Sequence, residues 1–486
     1  MNLNSLWSLR LGFSNKQAAA IEKMGIAKFL DASFKTNFDN TIPEFLNDSP
    51  KTTADFRERR EKNKDLTPEQ KREVQKEIQK QEGQTYIEMK SWWLEKMMNE
   101  NYPLQEKMTV FLHNHYVSTY QKVKVNYWLF EHNQLLRKHA FGNFRELTKA
   151  MIKSNAMLRY LDNVDNRKGK INENLSRELL ELFTLGIGNY TEEDVKNGAK
   201  ALAGLGSGDN GGIYRDKLAD NSEITYLGEK GNFKSDEIVD IIFKQKNSPY
   251  HFTKKILQWF IYDDPSEKLV TYYGDYFRKK DFEIKPLLEK IFTEEFEKNT
   301  SGSKIKNPLE YSLQLISELH INPKNNRPII AFLKSQGMDL FNQPNVKGWE
   351  GGKSWLTSQV YLQRNNLADL YCSGKENFNQ RAIAKNSMEN TMENTMSSTM
   401  NSTMSNSGNN SVPVRKTNVH LDWEKGTNKQ IISQLTDRLL FQVDSDTQKD
   451  FETILKYDFN PEAQNADQAV LRLFNAIVKE PEFQLI

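Results

Sequence analysis

Residues 172–188, NENLSRELLELFTLGIG, constrain the fold more than any other stretch of the chain. Asn172 is placed to cap a helix, and Gly186 and Gly188 are placed to stop it. At roughly 100° per residue, Leu175, Leu179, Leu182 and Phe183 fall on one apolar face. Glu173, Arg177 and Glu181 follow one another along the other face, where each acid reaches the arginine. Glu178 stands at the border, and Leu185 returns to the polar side. A charged face that also carries a leucine calls for a cover. The spacing therefore predicts a helix inside a multi-helix body, with Arg177 buried between Glu173 and Glu181. Asn174 and Glu178 are expected to turn towards the segment holding His113 and His115.

The remaining chain repeats the helical theme. Apolar residues recur at helical spacing over 108–120, 127–139, 235–244, 250–261, 284–292, 309–319 and 328–337. Capping-box patterns stand at Ser14/Gln17, Thr191/Asp194, Thr427/Gln430 and Asn465/Gln468, and Thr67-Pro68-Glu69 starts a long helix. Strand signals are confined to short runs near Tyr214 and over 224–227, expected to pair as a hairpin. The fold class is mainly α: a large multi-helix globular body with at most a small β-hairpin.

Met388, Met392, Met396, Met400 and Met404 recur every four residues among Ser, Thr and Asn, which form helices poorly. A period of four drifts around a helix, so this stretch reads as a disordered repeat linker. Three parts follow: a helical body over 1–375 with its motif-bearing centre at about 104–205, a low-complexity linker over 376–418, and C-terminal helices over 419–486. Val470, Leu473, Phe474 and Ile477 give the last helix a broad apolar face that must dock on the body.

Charge excludes some partners. Lys plus Arg number 67 against 65 Asp plus Glu, so no global field recruits nucleic acid or an anionic membrane. The charged first half of the helix after Thr67 alternates acids with bases, as a solvated helix does. One cysteine, Cys372, excludes an internal disulfide framework. The N-terminal residues lack the basic start and long apolar run of a signal peptide, and no stretch approaches membrane-spanning length. The cytoplasm is the default compartment, and export by another route leaves no mark in the residues.

Four motifs bear on function. Gly206-Ser-Gly208-Asp-Asn-Gly211 spells GxGxxG but follows an Ala-rich helix, so it reads as a flexible loop and not a dinucleotide site. Gly352-Lys353-Ser354 imitates a P-loop ending, but Lys347 occupies the position of its first glycine. Residues 343–355 hold Trp349 and Trp355 among glycines, expected to be buried. His113-Asn-His115 places two imidazoles at i and i+2, a metal-ligand spacing on extended backbone. On a helix the two point apart, and the preceding pattern is helical. Asp162, Glu178 and Glu181 are the acids available to complete such a site.

The runs TVFLHNHY (109–116), LRKHAFGNFREL (136–147), AMLRYLDN (156–163), INENLSRELLELFTLGIGNYTEEDV (171–195), QPNVKGWEGGKSW (343–355) and PEFQL (481–485) together resemble the bacterial "domain of unknown function 1800" family. The resemblance spans nearly the whole chain and implies a mostly helical fold without an established activity. It also implies a companion protein, because members are often encoded beside a sulfatase-like exported family. Two departures stand out. Leu112 replaces the aromatic usual before the first histidine. Ala219 and Ile224 align with a histidine and a lysine of relatives, so any activity needing those two would be missing.

Taken together, these features favour a non-catalytic interaction or assembly protein. Its partner is another protein, and Glu173, Asn174, Arg177, Glu181 and Asp162 form a structural polar network. The alternative is a metal-dependent hydrolase with His113 and His115 as ligands and Glu178 as ligand or general base. A divalent metal belongs only to that alternative; the cofactor is otherwise unknown.

Overall fold

A computed structural model describes residues 1–298, 300–374, 418–455 and 459–486. The methionine repeat, and the linker over 376–418 save for Asn418, lie outside the described residues.

Local sequence sets where several helices begin. Thr67, Thr191 and Thr427 each accept a backbone N–H from Gln70, Asp194 or Gln430, whose side chains reach back to the cap. Helices Pro68–Asn99, Glu192–Ala201 and Asn428–Leu439 follow. Ser14 and Gln17 form no such box. Gln17 donates instead to the Glu100 carbonyl, and a short 3-10 turn, Asn15–Gln17, takes the helix start. Asn465 also makes no side-chain cap bond.

Helices make up most of the fold, with two small two-stranded sheets among the described residues. The two strand-like runs do not pair with each other as expected. β1 (Leu205–Gly206) pairs with β2 (Ile213–Tyr214), and β3 (Ile224–Tyr226) pairs with β4 (Glu229–Gly231). Leu227 and Gly228, both with positive φ, close β3 on β4 through a two-residue turn, which leaves no ladder for the earlier run. The β1–β2 connection is the GxGxxG stretch, and it is no free loop. Asn155 donates to the Gly208 carbonyl at 2.8 Å and accepts from its N–H at 3.1 Å.

The first half of Pro68–Asn99 is exposed and its second half enters the core through Met89, Trp93, Leu94 and Met97. Beside it runs Leu104–His115, buried along its length except at Asn114. That helix carries charge into the core, each charge with a partner. Glu106 accepts from Arg137 Nε at 2.6 Å, Arg137 Nη2 at 2.8 Å and Trp93 Nε1 at 2.9 Å. Lys107 meets Glu310 with neither exposed.

The C-terminal helix Ala466–Ile477 buries Val470, Leu473, Phe474 and Ile477 and packs on Ser358–Cys372. After it, the chain end forms a clasp. Lys306 N–H donates to the Gln484 carbonyl, Ile486 N–H to the Lys304 carbonyl, both at 2.8 Å. Arg364 Nη1 reaches Gln484 Oε1 at 3.0 Å, and Lys306 Nζ donates to the Phe483 carbonyl. The PEFQL run is this clasp. No helix of the described residues is long and apolar enough to cross a membrane.

Candidate functional site

The central stretch begins as an α-helix, Asn174–Glu178, and continues as a π-helix, Leu179–Thr184. Leu175, Leu179, Leu182 and Phe183 are buried, as the helical spacing predicts. The wider π-turn brings Leu180 inward as well, with Leu185 N–H bonded to the Leu180 carbonyl across five residues. Thr184 Oγ1 donates to the Leu179 carbonyl at 2.5 Å.

The extra residue per turn also breaks the expected charge row. Arg177 is not buried between Glu173 and Glu181. Its side chain is 34% exposed and pairs with Glu173 at 3.0 Å and Glu192 at 2.8 Å. Glu181 rotates away and accepts from Tyr190 Oη at 2.8 Å. Asn174 is exposed and, with Asp162, Asp165, Lys170, Asn172 and Glu173, lines an open polar groove at the helix start. Asp162, with φ 56°, pairs with Lys122 at 2.7 Å. Glu178 is half-buried, and burial followed by the charge of Glu181 raises its carboxyl above the usual range. The charges of Glu181, Arg177 and Lys347 act on it, and it is not gathered with His113 and His115 into a metal-holding group.

His113 and His115 lie on a helix and point to different sides. His113 packs its ring against Trp93, His132 and Phe341. His115 packs against Tyr116, Phe183 and Phe252. Burial pushes both imidazoles well below their ordinary range, so both are neutral. Among the described residues, no group of three His, Cys, Asp or Glu is gathered to hold a metal ion.

The last carbonyls of the π-helix have no partner within it, and side chains from two other helices meet them. His115 Nε2 donates to the Phe183 carbonyl at 3.0 Å. The Leu182 carbonyl accepts from His251 Nε2 at 2.9 Å and from Lys255 Nζ at 3.1 Å. In the sequence, His251 and Lys255 show only an i, i+4 spacing on Ser248–Phe260, which does not name the carbonyls they serve.

Asn114 ties a third motif to this centre. Its Oδ1 accepts the Trp349 N–H at 2.6 Å, and Gln343 Nε2 donates to the His113 carbonyl at 3.1 Å. Gly348 lies between, with φ 89°, where a Cβ would come within 2.3 Å of Asn114 Oδ1. Trp349 and Trp355 of this loop are buried. HNH, the π-helix and QPNVKGW are therefore parts of one assembly. Ala219 and Ile224 are buried, and Ala219 sits against Gly204.

Residues 5–485 match the family described as "Protein of unknown function (DUF1800)". The chain belongs to that family. No curated protein and no solved structure matches it. In this DUF1800 chain the motif residues that look most chemical (His115, Asn114 and Gln343) are bonded to backbone groups of other segments.

Proposed function

We propose that this protein works by binding another protein and not by catalysis, with its contact face where the central helix meets the 343–355 loop. The carrying observation is the use to which the motif side chains are put. Asn114, Gln343 and His115 bond to the backbone of other motif segments, which fixes the relative positions of three segments far apart in sequence. Fixed geometry of this kind favours recognition, because a preordered surface loses less entropy on binding. On the outside, Lys347 is exposed, and Glu178 makes no hydrogen bond or ion pair among the described residues. The loop closing the central helix presents Ile187, 76% exposed, between two left-handed glycines. By family resemblance, the sulfatase-like companion is the first partner to try.

The test is affinity purification from the native organism with wild-type, Glu178→Gln, Glu178→Arg and Lys347→Glu chains, alongside metal analysis of each. A stoichiometric partner retained by wild type and Glu178→Gln, and lost from the two charge reversals at unchanged melting temperature, supports the reading. Stoichiometric metal in wild type that disappears in Glu178→Gln supports the hydrolase instead.

A further inference from the structure

Lys255 lies one turn after His251 on Ser248–Phe260, and its amine has two neighbours: the Leu182 carbonyl at 3.1 Å and His115 Nδ1 at 3.4 Å. The other nitrogen of His115 decides what Nδ1 offers. Nε2 faces the Phe183 carbonyl, which only accepts, so Nε2 carries the proton and Nδ1 turns a lone pair towards Lys255. The Leu182 carbonyl fixes His251 in the same tautomer. Among the described residues no carboxylate stands within ion-pair distance of Lys255, whereas its neighbour Lys254 has Glu267 at 2.8 Å.

We propose that Lys255 is a reactive amine, with His115 as its base, that accepts an acyl group from a small activated donor such as an acyl phosphate. An amine beside a base, with the base oriented by a third group, is the arrangement of an activated nucleophile. Burial without a compensating acid also pushes the ammonium down to about 8, which frees the amine near neutral pH.

In the step, the Lys255 Nζ lone pair attacks the acyl carbon and a C–N bond forms. The C–O bond to phosphate breaks, and its electron pair leaves on the phosphate. The proton shed by nitrogen passes to His115 Nδ1 and on to the departing phosphate. The products are an amide at Lys255 and inorganic phosphate. The amide keeps one N–H for the Leu182 carbonyl and loses the positive charge. This inference goes beyond the interaction reading and does not depend on it.

Acetyl phosphate is the probe. The full chain is treated at pH 8 and the acetylation rate at each lysine is read by peptide mass spectrometry. Lys255 is expected to react about tenfold faster than Lys254 in the native protein, and to lose that lead in urea. His115→Gln keeps an N–H for the Phe183 carbonyl but removes the base, and should slow Lys255 by about 10- to 100-fold without changing Lys254. A Lys255 no faster than Lys254 in the native chain overturns the proposal, as does a lead that survives His115→Gln. The wild-type comparison decides by itself if the variant fails to fold.

Discussion

Gly348 shows how closely one position can bind two motifs. A methyl group there would meet Asn114 Oδ1 at 2.3 Å and the Asn114 carbonyl at 2.6 Å, on backbone already in the left-handed region. The clash with the Asn114 carbonyl is backbone against backbone, so neither the loop nor the helix end can retreat cheaply. Gly348→Ala should therefore cost about 2–4 kcal/mol, read as a lower urea midpoint at unchanged slope. A midpoint within error of wild type would show that the loop does not depend on this contact. Arg177 is the opposite case. Its two partners lie at the surface, so Arg177→Met should cost under about 1 kcal/mol. A loss of several kcal/mol would mean that the arginine is covered after all.

Three histidines act at the scale of the elements, because they join the ends of helices. His115 and His251 hold the π-helix carbonyls, and His132 Nε2 donates to the Tyr116 carbonyl at 2.8 Å, just past Leu104–His115. Burial holds His132 and His251 down to about 4 and His113 and His115 well below the ordinary value. Each folded value is lower than the unfolded one of about 6.5, so between them the unfolded chain binds more protons. Their contribution is complete above about pH 6.5 and is lost as pH falls through each folded value, about 4 for His132 and His251. The slope approaches about 1.4 kcal/mol per pH unit for each histidine. Urea midpoints should fall steeply from pH 7 to pH 5, and a flat profile would show that the imidazoles reach solvent in the folded state.

The whole molecule is closed by its C-terminal clasp. Lys306 and Arg364 are fully buried, and burial holds the Lys306 amine well below and the Arg364 guanidinium below their ordinary values. Lys306 Nζ has the Phe483 carbonyl and Arg364 Nη1 has Gln484, both supplied by the chain end. Removing residues 481–486 would leave these donors unpaired and uncover the core around Phe483. The truncated chain should lose several kcal/mol and bind a hydrophobic dye at room temperature, as exposed core does. An unchanged melting temperature would show the clasp to be ornamental.

The residues by themselves determined the helical class, the buried face of Leu175, Leu179, Leu182 and Phe183, and the starts at Thr67, Thr191 and Thr427. These rest on periodicity and on hydrogen bonds between near neighbours, which a short stretch contains in full. Tertiary structure alone decided the π-turn, and with it the separation of Glu181 from Arg177. One added residue in a turn reflects the fit of the helix among His115, His251 and Lys255, and none of these is local to it. The same holds for the failed box at Ser14/Gln17, where a distant carbonyl took the glutamine, and for the separate hairpins of Tyr214 and Ile224. Asn114 and Gly348 are 234 residues apart in sequence, yet a Cβ at Gly348 would overlap Asn114. A contact of that kind depends on every helix between them being in place, so no window of the sequence contains it.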